Sequence, residues 1–153
     1  MGRPILVILL MLLGANALAD TTNRALQVSP MPAIFVGGVG LLCELKGDDA
    51  SRDFFVLTKD RNTLGWADLS KEDDIGYDIF KTRRSPDYYF AEKKISDTAF
   101  NISLHRKNLT LSLTTVDDGG SATASFVCKA MSVSDVHNAA KLELQKLLNG
   151  NRI

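Results

Sequence analysis

The side chains in this sequence best equipped to do chemistry are two histidines, three acidic doublets and three basic pairs. His105 stands beside Arg106 and Lys107, and His137 follows Asp135 by two positions. A structural zinc site draws on several Cys or His ligands, usually in close pairs. Neither histidine has such a neighbour, so no metal ion is expected. The doublets Asp48-Asp49, Asp73-Asp74 and Asp117-Asp118 carry the groups that hydrolyse glycosides or bind calcium. Each lies among turn-forming residues, where a solvated aspartate is ordinary. None has the alternating acids, central Gly and closing Glu of an EF-hand loop.

No serine sits in a G-x-S-x-G elbow, and no catalytic residue is assigned. A triad can be assembled from residues far apart in the chain. A secreted hydrolase with a carboxylate or histidine site is therefore the alternative reading. Gly37, Gly38 and Gly40 lead into Leu41-Leu42-Cys43. A phosphate-binding loop would lead into Lys and Ser or Thr, so no nucleotide or other cofactor is expected.

The basic pairs are Arg83-Arg84, Lys93-Lys94 and Arg106-Lys107, and Tyr88-Tyr89-Phe90 lies between the first two. Cations interleaved with aromatics suit a glycan, a lipid headgroup or a protein edge. They also suit single-stranded nucleic acid, but the balanced charge, 18 basic against 18 acidic residues, gives no basic footprint. No nucleic-acid partner is expected. The candidate ligand-binding residues are Trp66, Arg83, Arg84, Tyr88, Tyr89 and Lys93. Strand alternation would send Tyr88 and Phe90 to one face and Tyr89 to the other, so part of this cluster belongs to the core.

The elements that must position these groups are strands. From Thr98 to Lys129, Phe100, Ile102 and Leu104 alternate with polar residues, as do Leu109, Leu111 and Leu113, and then Ala122, Ala124, Phe126 and Cys128. Period two places one set on each face, so three strands form a meander with one dry face. Shorter runs upstream, Leu41–Leu45, Phe54–Thr58, Leu64–Leu69, Ile75–Phe80 and Tyr88–Lys94, bring the count to seven or eight strands. Their turn signals recur at roughly 8–12 residues, the spacing of an antiparallel β-sandwich or small barrel. The period then changes: Val133, Val136, Ala140, Leu144, Leu147 and Leu148 predict an amphipathic helix over 133–149, capped by Ser132 or Ser134. The fold class is mainly β (α+β), with one C-terminal helix.

The chain opens Met1-Gly2-Arg3, runs apolar from Pro4 to Leu13 and reaches Ala17-Leu18-Ala19. A charged start, a short apolar stretch and small residues before a cleavage point predict a signal peptide over 1–19. That stretch is shorter than the roughly twenty residues of a membrane span. Residues 20–32 read as a flexible leader, and 33–153 as a single domain. Export to the periplasm or outside the cell favours a disulfide between Cys43 and Cys128, both on the dry phase of their strands. Asn101-Ile102-Ser103 and Asn108-Leu109-Thr110 are glycosylation acceptor sequences on the polar phase. The sequence predicts an exported, non-enzymatic binding domain. Its partner, a protein or envelope component, would engage the 66–94 region or the helix face over 133–148.

Overall fold

A computed structural model describes residues 26–150 with the exception of residue 72. The expected signal peptide lies outside the described residues. Eight strands follow one another: β1 (Val39–Leu45), β2 (Asp48–Leu57), β3 (Thr63–Asp68), β4 (Gly76–Arg84), β5 (Tyr88–Ile95), β6 (Thr98–His105), β7 (Thr110–Asp117) and β8 (Gly120–Met131). Helix α1 (Val133–Gly150) completes the chain. Each strand pairs antiparallel with the next, and β8 returns to pair with β1, so the sheet closes into a barrel. Closure removes the unpaired edges that an open sheet leaves as sites for aggregation.

The three-strand meander occupies β6, β7 and β8 in the expected phase. Ile102, Leu104, Leu111, Leu113, Phe126 and Cys128 are buried in the barrel interior with Leu41, Cys43, Phe55 and Phe80. Outward positions such as Asn101, Ser103, Ser112, Thr114 and Thr123 are polar. That polarity is opposite to the apolar-out alternation of strands facing lipid. Cys43 and Cys128 are register partners across the β1–β8 seam and are disulfide-bonded, 85 residues apart in sequence.

A second core lies outside the barrel, under α1. Phe35, Phe54, Val56, Ala67, Ile75, Val136, Ala140 and Leu144 form it. This explains the uninterrupted apolar run Phe54–Leu57. Phe55 and Leu57 face the barrel interior while Phe54 and Val56 face the helix, so the strand is dry on both sides. It also sets the phase of β4. Ile75 and Tyr77 mark the phase turned outward to the second core, and Phe80 is the buried inward residue. Helix cover makes the outer phase apolar here, which alternation alone does not distinguish.

The helix sits close because the sheet beneath it is thin. Val56 pairs with Gly40 on one side and Gly65 on the other. A Cβ on Gly40 would meet Val136 Cγ1 at 2.7 Å and the Ser132 carbonyl oxygen at 2.7 Å. Glycine at that position lets the helix approach the backbone. Ser132 Oγ accepts from the Asp135 backbone N–H (3.0 Å), which caps the first turn of α1.

Part of the stretch read as a leader is held against this core. Leu26, Val28 and Met31 pack on it. Asp74 accepts hydrogen bonds from Ser29 N–H and Ser29 Oγ–H, each 2.7 Å. His137 Nε2 lies 3.0 Å from the Ser29 carbonyl oxygen, and Nδ1 lies 2.8 Å from Tyr77 Oη. A carbonyl only accepts, so in the neutral ring Nε2 carries the proton and the Tyr77 hydroxyl donates to Nδ1. Burial pushes the Tyr77 phenol up to about 12.

Candidate binding cleft

An up-and-down barrel gathers alternate connections at each end. The β1–β2, β3–β4, β5–β6 and β7–β8 connections share one end, which aromatic side chains fill. Trp66 stacks on Phe55 with centroids 5.7 Å apart and meets Phe100 edge-on at 5.7 Å. Its Nε1–H donates to Asp53 Oδ1 at 3.0 Å. Burial raises the Asp53 carboxyl above the usual aspartate range, and the Trp66 hydrogen bond offsets part of that rise.

The other end carries the β2–β3, β4–β5 and β6–β7 connections, and here the interior opens. A cavity of about 360 Å³ has an apolar wall of Val39, Leu41, Leu57, Tyr89, Leu104 and Leu109. Arg61, Arg106 and Lys107, with Pro86, form its rim. Each arginine is fixed by its own loops. Arg106 Nη1 donates to the Ser85 and Pro86 carbonyls, 2.9 Å each, and its Cζ lies 5.3 Å from the Tyr89 ring centroid. This is a cation–π contact that holds the guanidinium over the mouth. Arg61 Nη1 donates to the Thr58 carbonyl at 2.8 Å, and Thr82 Oγ1 donates to the Arg61 carbonyl. The ion pairs among the described residues, Arg52–Glu44 and Lys146–Glu143, lie elsewhere. No carboxylate among the described residues comes within salt-bridge distance of these rim cations.

The backbone is strained at this mouth. Non-glycine residues with positive φ among the described residues are Arg61 (63°), Ser96 (54°) and Leu109 (56°). Arg61 and Leu109 both line the cavity. A side chain held in the left-handed region is disfavoured, and for leucine especially so. Leu109 is held there by its N–H donating to the His105 carbonyl (3.0 Å) and its carbonyl accepting from Cys128 N–H (2.9 Å).

The residues singled out by sequence are not brought together. Trp66 belongs to the filled end. Lys93 lies with its Nζ 5.7 Å from the Phe80 ring centroid. Tyr89 lines the open mouth, under Arg106. Tyr88 projects from the outer face, stacked on Phe90 at 5.6 Å and edge-on to His105 at 4.9 Å. Arg83 borders a shallow outer groove of about 140 Å³ with Phe90, Glu92, Asn101 and Ser103. Arg84 is exposed. The side chain of Asn101 is exposed on the outer face, and Asn108 Oδ1 accepts from Thr110 N–H (3.1 Å) and Thr110 Oγ1–H (2.8 Å).

Both histidines have structural partners. His105 Nδ1 accepts from the Lys107 and Asn108 N–H groups (3.2 and 3.3 Å), which shapes the β6–β7 turn. His137 holds the leader. Residues that sequence reasoning passed over are Arg61, Leu57, Leu104 and Leu109. The usable signal was their position: Arg61, Pro86 and Arg106 all fall in even-numbered connections, which a barrel must place at one end. The chain matches no protein-family model, and comparison with curated proteins and with solved structures finds no significant similarity.

Proposed function

We propose that this chain is a non-enzymatic binding domain, exported to the periplasm or beyond the cell, that takes a component of the cell envelope into the open mouth of its barrel. One observation carries this reading: the apolar interior opens beneath two half-buried guanidinium groups that have loop carbonyls, but no described carboxylate, as partners. Eight-stranded barrels have interiors that side chains fill or that hold one small ligand. This barrel is filled at the Trp66 end and open at the Arg106 end. The export part of the reading rests on the pattern of residues 1–19 and on the disulfide. An intact mass of the protein recovered from the native compartment tests it, with an N-terminus at Asp20 expected.

A protein partner is the second reading. The exposed Tyr88–Phe90 stack beside Arg83 favours it. Chemical-shift mapping of the labelled protein against an envelope extract separates the two. Shifts clustered at 57–61, 85–89 and 104–109 support the mouth. Shifts confined to Arg83, Phe90 and Asn101 on the outer face would replace the mouth with that surface.

A further inference from the structure

We infer that the ligand of this mouth is a single-chain amphiphile with an oxyanion head, the head seated between Arg61 and Arg106 and the tail against the apolar wall. The inference rests on the reading of the mouth as the binding site and names the chemistry it would select.

Three features of the mouth converge on it. The first is the pairing of surfaces. Val39, Tyr89 and Leu109 are the half-buried apolar residues that the cavity exposes, and Leu41, Leu57 and Leu104, nearly wholly buried, lie directly behind them, so a tail placed there packs onto the barrel's own core. The second is the state of the arginines. In both, Nη1 is engaged by backbone carbonyls. This leaves the Nε–Nη2 edge, the planar fork that grips a carboxylate or phosphate oxygen pair in two parallel hydrogen bonds. Both guanidinium-bearing residues are half-buried, where a charge-assisted bond is weakened less by water than at an open surface. The third is backbone strain. Arg61 and Leu109, one from the head side and one from the tail side, are the two cavity residues held at positive φ. Strain of this kind gathers at ligand sites, where the surrounding structure maintains it.

Size limits the tail. A cavity of 360 Å³ stands near the lower end of the roughly 300–1,000 Å³ of small-molecule sites. One short chain fits that space and a two-chain lipid does not.

Calorimetric titration of the disulfide-bonded protein with decanoate, decyl alcohol and decyltrimethylammonium tests the inference. Decanoate is expected to bind about tenfold or more tightly than the alcohol, and the cation not at all. Arg61→Asn deletes one guanidinium while keeping a residue that tolerates the left-handed turn. It is expected to weaken decanoate by about tenfold and leave the alcohol unchanged. Arg106→Lys keeps the charge but loses the fork, and is expected to weaken decanoate while thermal melting confirms a folded barrel. Equal binding of decanoate and the alcohol, or decanoate binding that survives both substitutions, would overturn the oxyanion head. Sedimentation with phosphatidylglycerol vesicles in the absence of decanoate binding would replace the single chain with a membrane surface. If decanoate fails but envelope extract still shifts the mouth residues, only the ligand class falls. If the extract shifts other surfaces instead, the mouth falls with it.

Discussion

A Cβ placed on Gly65 would stand 2.5 Å from Cζ of Phe35, well inside contact distance. Phe35, wholly buried, is the residue that the 3₁₀ turn Ala33–Phe35 delivers to the second core. Gly65→Ala therefore has to displace Phe35 or the strand. Its expected cost is about 1–3 kcal/mol, the usual range for overfilling a packed site. Urea unfolding checks this, with Gly150→Ala as the comparison. A Cβ on Gly150 meets nothing within 4 Å, so no packing penalty arises there.

The helix is part of the fold rather than an appendage. Leu144 is 1% exposed against the sheet, while Leu142 on the opposite side is 60% exposed. Leu144→Ala is expected to lose about 2–5 kcal/mol, and Leu142→Ala to stay within roughly 0.5 kcal/mol of the parent. If the two substitutions cost the same in denaturant melts, the packing of α1 on the barrel is wrong.

Removing the β1–β8 bridge by Cys43→Ala with Cys128→Ala should destabilise by about 4.5 kcal/mol, the loop-closure figure for a separation of 85 residues. Reductant should shift the parent's unfolding midpoint by a similar amount and leave the double variant unmoved. A parent insensitive to reductant would mean that strand pairing alone closes the seam.

Tyr77 gives a prediction in alkali. In the folded chain its phenol holds its proton to about 12, against 10.0 for the free group. The unfolded chain thus releases that proton first as pH rises. Deprotonation favours unfolding, so the stability linked to Tyr77 is intact below pH 10 and is lost as pH climbs towards 12. Tyr77→Phe should cost about 1 kcal/mol at neutral pH, because His137 Nδ1 loses its donor. It should also flatten that alkaline loss. Absorbance titration of the tyrosinate and melts on either side of pH 10 check both parts.

Asp53 works in the opposite pH range. Burial raises its carboxyl above 3.8, so the folded state binds the proton more tightly than the unfolded state. Stability therefore falls as pH rises from 3.8 through the folded value, and the whole cost of the buried charge is present at neutrality. Asp53→Asn keeps an oxygen for Trp66 Nε1–H and removes the charge. The variant should melt above the parent at pH 7, and the gap should narrow in acid. A gap that widens in acid would reverse the sign of the Asp53 shift.

Much of the barrel was legible because alternation is a direct record of which face is dry. Phe100, Ile102, Leu104, Leu111, Leu113 and Phe126 announce their orientation without any tertiary information. Where a strand is covered on both sides, that record fails. Phe54–Leu57 is apolar in both phases because α1 lies over it, and only the three-dimensional arrangement separates Phe54 from Phe55. The glycines Gly40 and Gly65 were equally opaque. Their purpose is the closeness of Val136 and Phe35, residues distant in the chain. The open mouth was the least legible feature, since Arg61 and Arg106 are turn residues with no motif around them. They become a pair only when the barrel aligns the β2–β3 and β6–β7 connections. The aromatic-basic stretch drew attention by composition, yet its alternation distributes Tyr88 and Tyr89 to opposite sides of the sheet.

The Cys43–Cys128 bridge has one more consequence. Every connection between consecutive strands falls between these two residues, so the segment they enclose is a covalent ring containing all the hairpin turns. Exposed turn tips are where proteases cut. A single cut in this ring leaves two chains joined by the bridge and releases no fragment, with both new ends still seated in neighbouring strands. Such a nicked barrel migrates as two pieces only after reduction.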